Sequence, residues 1–329
     1  MTRTFDDRIA VRESTPLLVG LIGPSGTGKT YSALRLAEGF QRVNGGETYV
    51  VDTEARRSLH YAESFKFRHL AFGAPFGPLD YLAAIQHCVA KGAKTIVVDS
   101  MSHEHEGPGG VLEMHDVELA RMGGQASKSM LAWSKPKRER RALINAILQF
   151  NCNFIFCFRA KEKMKIEKGK DPVALGFQPI AGEEFVYEMT LKCLLMPGAD
   201  GFPTWKSDMQ GEKMMIKIPK QFRDLFGSAP QLSEDVGAEL AKWAAGTAAP
   251  PVADADDLVA RYAACTDPAT HRTLEQLRKA AWSSLAKDAK LRVKASADEA
   301  VERMANAERA AESVAADVEE TETAETKVA

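Results

Sequence analysis

The stretch "LIGPSGTGKTYSALRLA" limits what this chain can fold into more than any other. Residues Gly23-Pro24-Ser25-Gly26-Thr27-Gly28-Lys29-Thr30 follow the pattern G-x-x-x-x-G-K-[ST]. The apolar run 17–22 before it reads as a buried strand. Residues 31–43 after it have helical spacing, with Leu34, Leu36, Ala37 and Phe40 on one side. A strand, a glycine-rich turn and a helix in that order let backbone N–H groups wrap closely around phosphates, and the helix N-terminus adds partial positive charge. Lys29 then reaches the β- and γ-phosphates, and the Thr30 hydroxyl ligates Mg²⁺, with Tyr31 opening the helix beside them. The alternative is a glycine-rich turn that holds nothing, and the strand and helix on its flanks argue against it.

The remainder of the first 230 or so residues keeps the same alternation. Strands are predicted at 48–51, 95–98 and 153–158, and helices at 81–91 and 132–150. Nearly continuous apolar strands separated by helices predict an α/β fold with a mostly parallel central sheet covered on both faces. After "EFVYEMTLKCLLM" the pattern turns antiparallel, with 201–207 and 213–219 as hairpin-like strands. The expected organisation is a nucleotide-binding domain over 1–243, a linker over 244–257, a helical domain over 258–313 and a disordered acidic tail over 314–329. Residues 251–329 hold 16 acidic and 11 basic side chains, a net −5 within a chain of net −2, so overall charge makes no case for nucleic acid. Five scattered cysteines without a CxxC pair fit buried thiols in a reducing compartment. The opening segment lacks a secretory pattern, and "PLLVGLIG" is too short to span a bilayer. The expectation is a soluble, cytoplasmic protein with no membrane partner.

Two strands end in the same three residues, "YVVDTEARRS" and "TIVVDSMSH". A phosphate loop that supports hydrolysis needs one strand-end carboxylate for the metal shell and another to orient or deprotonate water. Asp99 is followed by Ser100, so that strand supplies a metal-shell aspartate without a base beside it. Asp52 and Glu54 end the other. If that strand lies next to the phosphate-loop strand, Glu54 reaches the same sheet edge as the phosphates. The alternatives are that Asp52 and Glu54 merely cap a strand and a turn, or that the base is Glu104 or Glu106.

"GPSGTGKTYSALRLA", "VVDTEARRS", "IVVDSMSHE", "NFIFCFRAKEK" and "EFVYEMTL" together resemble a group of phage-encoded, AAA-family P-loop ATPases with a RecA-like core, over about residues 15–230. The resemblance implies ATP and Mg²⁺ as cofactors, Glu54 as general base, and Thr30 and Asp99 in the Mg²⁺ shell. It implies Tyr61, seven residues after the base, as the aromatic that stacks on adenine. It places Arg159 or Lys161 where a polar γ-phosphate sensor leads into a DNA-contacting loop; a cation there would stabilise transition-state charge. It also implies a homo-oligomer whose sites are completed between subunits, with Lys217, Lys220 and Arg223 as candidate donors in trans. The resemblance implies single-stranded DNA as a partner in recombination, annealing or replication. Some members act beside a single-strand-binding protein, so that or another recombination or replication protein is a candidate partner, in the host cytoplasm for a phage-encoded member.

Two basic stretches bear on that setting. The tract 159–170 holds six basic and two acidic residues and reads as a loop able to track a nucleic-acid backbone, or as a solvated charged loop. "KPKRERR" after Trp133 offers charge beside an aromatic, or a solvated helix face with a buried Trp. "SHEHEGPGG" reads as a mobile loop, with a metal on His103, Glu104, His105 and Glu106 as the lesser alternative. Two rival functions stay open: a nucleotide-dependent loader or switch acting on a protein, and a P-loop small-molecule kinase.

Overall fold

The computed structural model describes residues 12–166, 169, 171–246, 255–282, 285 and 287–325. These divide into two compact units, one spanning 13–246 and one drawn from the residues beyond it. The larger unit contains strands β1 (Leu18–Gly23), β2 (Thr48–Asp52), β3 (Arg68–Ala71), β4 (Thr95–Asp99), β5 (Asn153–Lys165), β6 (Val173–Pro179) and β7 (Leu191–Leu194). Its helices are α1 (Lys29–Asn44), α2 (Pro78–Ala90), α3 (His103–Glu106), α4 (Val111–Arg121), α5 (Ser129–Ala132), α6 (Ser134–Ile147), α7 (Glu183–Tyr187), α8 (Gln210–Met214) and α9 (Glu234–Ala244).

The strand order is β3-β2-β4-β5-β1-β7. All these neighbours run parallel, and β6 pairs antiparallel with the far part of β5. The period-2 alternation of strand side chains divides the core into two layers. Leu18, Ile22, Val51, Val98, Phe154 and Phe156 pack on one face, with Tyr81 and Ile85 of α2 and Leu143 and Ile147 of α6. Val19, Leu21, Val50, Val97 and Ile155 pack on the other, with Leu36 and Phe40 of α1 and Val236 and Leu240 of α9. All five cysteines are free and buried.

Helix α9 lies close against α1 through two glycines. A Cβ at Gly39 would sit 2.0 Å from the Glu234 carbonyl oxygen, and one at Gly237 would sit 2.4 Å from the Leu36 carbonyl oxygen. Backbone cannot yield as a flexible side chain can. Gly39→Ala is therefore expected to cost about 1–3 kcal/mol by overpacking and to lower the thermal midpoint by roughly 5 °C. A thermal unfolding curve matching wild type would show that α1 and α9 separate freely.

Several expectations from sequence change. Strand β2 is not beside β1, because β4 and β5 lie between them, yet parallel pairing still brings its end to the same sheet edge. The basic tract begins as strand rather than loop, since β5 runs to Lys165 and forms a hairpin with β6. The segments 201–207 and 213–219 form no hairpin: each meets β7 through a single bridge, Leu194↔Thr204 and Lys192↔Lys217, and 210–214 are helical. Within "SHEHEGPGG", residues 103–106 form α3.

The second unit contains α10 (Ala255–Ala263), α11 (Pro268–Ala281) and α12 (Lys287–Glu325) around Leu258, Tyr262, Leu274, Val293 and Ala297. Helix α12 runs through 314–325, where composition predicts a disordered tail; the alanine and glutamate content there favours helix. Residues 326–329 of that predicted tail, and 247–254 of the predicted linker, lie outside the described residues. Among the described residues no helix is long and apolar enough to cross a membrane.

Candidate functional site

Parallel strands bring their C-terminal ends to one sheet edge, where the phosphate loop, Glu54, Asp99, Tyr61 and Arg159 gather. The turn after β1 holds Gly26 and Gly28 at φ +81°, a left-handed conformation that side chains resist. Gly23 serves packing instead, because a Cβ there would lie 2.4 Å from the Leu195 carbonyl oxygen. The Thr27 hydroxyl donates to the Pro24 carbonyl at 3.0 Å and closes the turn. Lys29 opens α1 and folds back over the loop, its Nζ donating to the carbonyls of Gly23 (2.9 Å) and Pro24 (2.6 Å). Burial lowers its pKa.

The Thr30 hydroxyl donates to Oδ2 of Asp99. Burial pushes the Asp99 carboxyl up to about 6, against the pull of that hydroxyl. A hydroxyl and a carboxylate in contact beside a phosphate loop are the hard oxygen donors Mg²⁺ prefers, so the residues present fit the ion.

Asp52 lies opposite Asp99 in the β2–β4 register but faces other partners. Its carboxylate accepts the Glu54 N–H (2.8 Å), the Ser58 N–H (3.0 Å) and the Ser58 hydroxyl (2.5 Å), and meets His69 Nε2 at 3.2 Å. Burial works to raise its pKa, but these donors prevail and hold it below the usual carboxylate value. Ala55 and Arg56 between them adopt φ of +56° and +65°, a conformation costing roughly 1–2 kcal/mol per non-glycine residue.

Glu54 projects into the hollow beside the phosphate loop. It receives both Nε (2.7 Å) and Nη2 of Arg159, the residue at which β5 leaves β1 and enters its hairpin. Glu54's side chain is 12% exposed and Arg159's 38%. The hydrogen bonds to Glu54 are the leading cause that raises the Arg159 pKa. Ser25, Gly26, Gly28, Lys29, Thr30, Glu54, Arg57, His60, Tyr61, Asp99 and Arg159 line this hollow. Tyr31 packs its ring against Tyr61 at 5.6 Å and lines a second hollow across the loop, with Arg35, residues 198–201 and Gln231.

Other candidates fall elsewhere. Lys161 pairs with Glu106 at 3.6 Å, away from the lining residues. The side chains that the sequence offers to a metal each have other partners: His103 bonds Thr53 at 2.8 Å and stacks on Phe76, while Glu104 and His105 both meet Arg140. Glu104 is thereby removed as a base, its carboxylate buried and accepting from both Nε and Nη2 of Arg140. Among the described residues no group of three or more His, Cys, Asp or Glu is placed to hold a metal ion. Trp133 stacks on His115, and of the basic cluster after it Lys135 pairs with Glu118 and Arg140 is buried. Lys217 donates to the Met189 carbonyl, and neither it, Lys220 nor Arg223 lines the hollow. Sequence reasoning passed over Arg57 and His60, which line the site, and Ser58 and His69, which hold Asp52. No motif marks any of the four.

Comparison with known proteins adds one match: the sequence model for a family described as an AAA domain covers residues 15–192. No curated protein sequence matches the chain.

Proposed function

The chain belongs to this AAA domain family, and on that premise we propose that it is a Mg²⁺-dependent ATPase of the RecA-like class that works on single-stranded DNA in phage-type recombination, annealing or replication. The observation that carries the ATPase reading is the convergence of the loop lysine, the Thr30–Asp99 pair and Glu54 on one hollow. Mg²⁺ bound at Thr30 and Asp99 would offset phosphate charge. Glu54 takes a proton from the attacking water once it parts from Arg159. Arg159, so released, has the γ-phosphate as its next anionic partner, which suits a sensor of the triphosphate.

The DNA reading is supported by the β5–β6 hairpin that begins at Arg159. Lys161 and Lys163 alternate with Glu162 and Met164 along it, and Met164, Ile166 and Val173 are exposed near its end. A row of cations along one strand suits the phosphate backbone of a flexible, charged single strand. Recruitment of a single-strand-binding protein, and a homo-oligomer that completes the site, belong to the same reading. Single-stranded DNA is expected to raise ATP turnover several-fold at low salt, with the gain falling as salt rises. Lys163→Glu is expected to remove that gain. A protein-directed switch is favoured instead by the exposed Val117, Met130 and Leu131 on and beside α4 and α5. Turnover indifferent to DNA but raised by a protein would decide for it, and phosphate passed to a small acceptor would decide for a kinase.

A further inference from the structure

Asp52 and Asp99 end neighbouring strands at the same register position, yet only Asp99 meets the phosphate-loop threonine. Asp52 is 2% exposed. Its hydrogen bonds go to both ends of one short stretch: the N–H of Glu54 before it, and the N–H and hydroxyl of Ser58 after it. Between those anchors lie Ala55 and Arg56, two consecutive non-glycine residues in the left-handed region. Such a stretch relaxes unless its flanks are held. From the same turn, Glu54, Arg57, His60 and Tyr61 face the phosphate hollow. His69 on β3 reaches Asp52 from the other side and completes its coordination.

We propose that Asp52 is a positioning residue: its carboxylate sets the Glu54 side chain and the 57–61 turn over the phosphates and takes no part in metal binding. The proposal rests on the reading of Glu54 as the base. It makes a carboxylate at position 52 a requirement. Asparagine keeps the shape but turns an NH₂ group toward donors, and those donors are left unsatisfied or displaced. A shift of about an ångström in the base costs roughly 100-fold in rate while leaving the phosphate loop intact.

The test compares full-length wild type, Asp52→Asn, Ser58→Ala, Glu54→Gln and Asp99→Asn. Three quantities are read: the turnover number for ATP, the dissociation constant of a non-hydrolysable ATP analogue, and the Mg²⁺ concentration at half-maximal rate. Asp52→Asn is expected to lower turnover by roughly 30–100-fold, with analogue affinity held within about 3-fold and the Mg²⁺ midpoint unchanged. Ser58→Ala, which removes one buried hydroxyl, is expected to lower turnover by about 3–10-fold. Asp99→Asn is expected to raise the Mg²⁺ midpoint. Wild-type turnover in Asp52→Asn beside an inactive Glu54→Gln would overturn the positioning role and leave the base reading standing. An active Glu54→Gln would remove the base reading and the proposal with it. A Mg²⁺ midpoint in Asp52→Asn that moves as in Asp99→Asn would make Asp52 a metal-shell residue and also overturn the proposal. Should Asp52→Asn fail to fold, Ser58→Ala decides, and an unchanged turnover there counts against it.

Discussion

Glu54→Gln is expected to bind ATP and fail to hydrolyse it. Glutamine has nearly the shape of the carboxylate but does not take a proton from water at neutral pH. Removing a general base costs typically 10²–10⁴-fold, so phosphate release should fall by about three orders of magnitude. Affinity should move the other way or not at all. Arg159 is held by the Glu54 carboxylate through two hydrogen bonds, and a neutral amide holds a guanidinium less strongly than an anion does. The variant thus leaves Arg159 readier to meet a triphosphate, and a non-hydrolysable analogue should bind as well as to wild type or a few-fold more tightly. Single-turnover phosphate release and analogue binding, measured on the same preparation, separate the two effects. Release within about 3-fold of wild type would move the base away from Glu54. Glu104 would not inherit the role, being buried against Arg140.

That prediction depends on features that differ in how legible they are from residues alone. The phosphate loop is local chemistry: its glycines, lysine and threonine are contiguous, so spacing is enough to find them. Strands β1, β2, β4 and the inner half of β5 are apolar runs buried on both faces, and their type and place follow from composition. What lies beyond the apolar run is less visible. Strand β5 continues for seven residues after Phe158 through alternating charges, because pairing with β6 supplies the hydrogen bonds that hydrophobic burial does not. Pairing of that kind depends on a partner strand some ten residues away, which no local pattern specifies. Helix α9 is hard to read from residues alone for a related reason. Its fit against α1 depends on Gly39 and Gly237, two residues that read singly as helix-weakening.

The two aspartates illustrate the same limit inside the site. Sequence places both at strand ends and identifies Asp99 by the company of Ser100 rather than a base. Nothing in "VVDTEARRS" states that the first aspartate turns back on its own turn. Arg56 and Ala55 carry no glycine signal for a left-handed backbone, and Ser58 and His69 belong to no motif. Only the folded geometry shows one carboxylate collecting donors from three residues.

Lys29→Ala is expected to abolish nucleotide binding while leaving the fold as stable as wild type. Of the cations lining the hollow, Arg159 is committed to Glu54, and Arg57 lies 3.9 Å from the same carboxylate. Lys29 instead rests on two loop carbonyls, a position from which it turns to phosphate without breaking an ion pair. Two charge-assisted hydrogen bonds to phosphate are worth roughly 3–5 kcal/mol together, so the dissociation constant for ATP should rise by about 10²–10⁴-fold. Arginine should not rescue it, because a planar fork does not fit the space of a compact ammonium. Stability follows the opposite logic. Burial lowers the Lys29 pKa, meaning that the folded state disfavours its charge relative to the unfolded chain. Deleting that charge removes a cost but gives up two hydrogen bonds to the loop carbonyls, so the nucleotide-free variant should melt close to the wild-type temperature. Wild type should gain thermal stability on adding ATP with Mg²⁺ and the variant should not. A variant that melts early and binds weakly would instead make Lys29 a structural clamp on the loop, and its loss of binding a consequence of that.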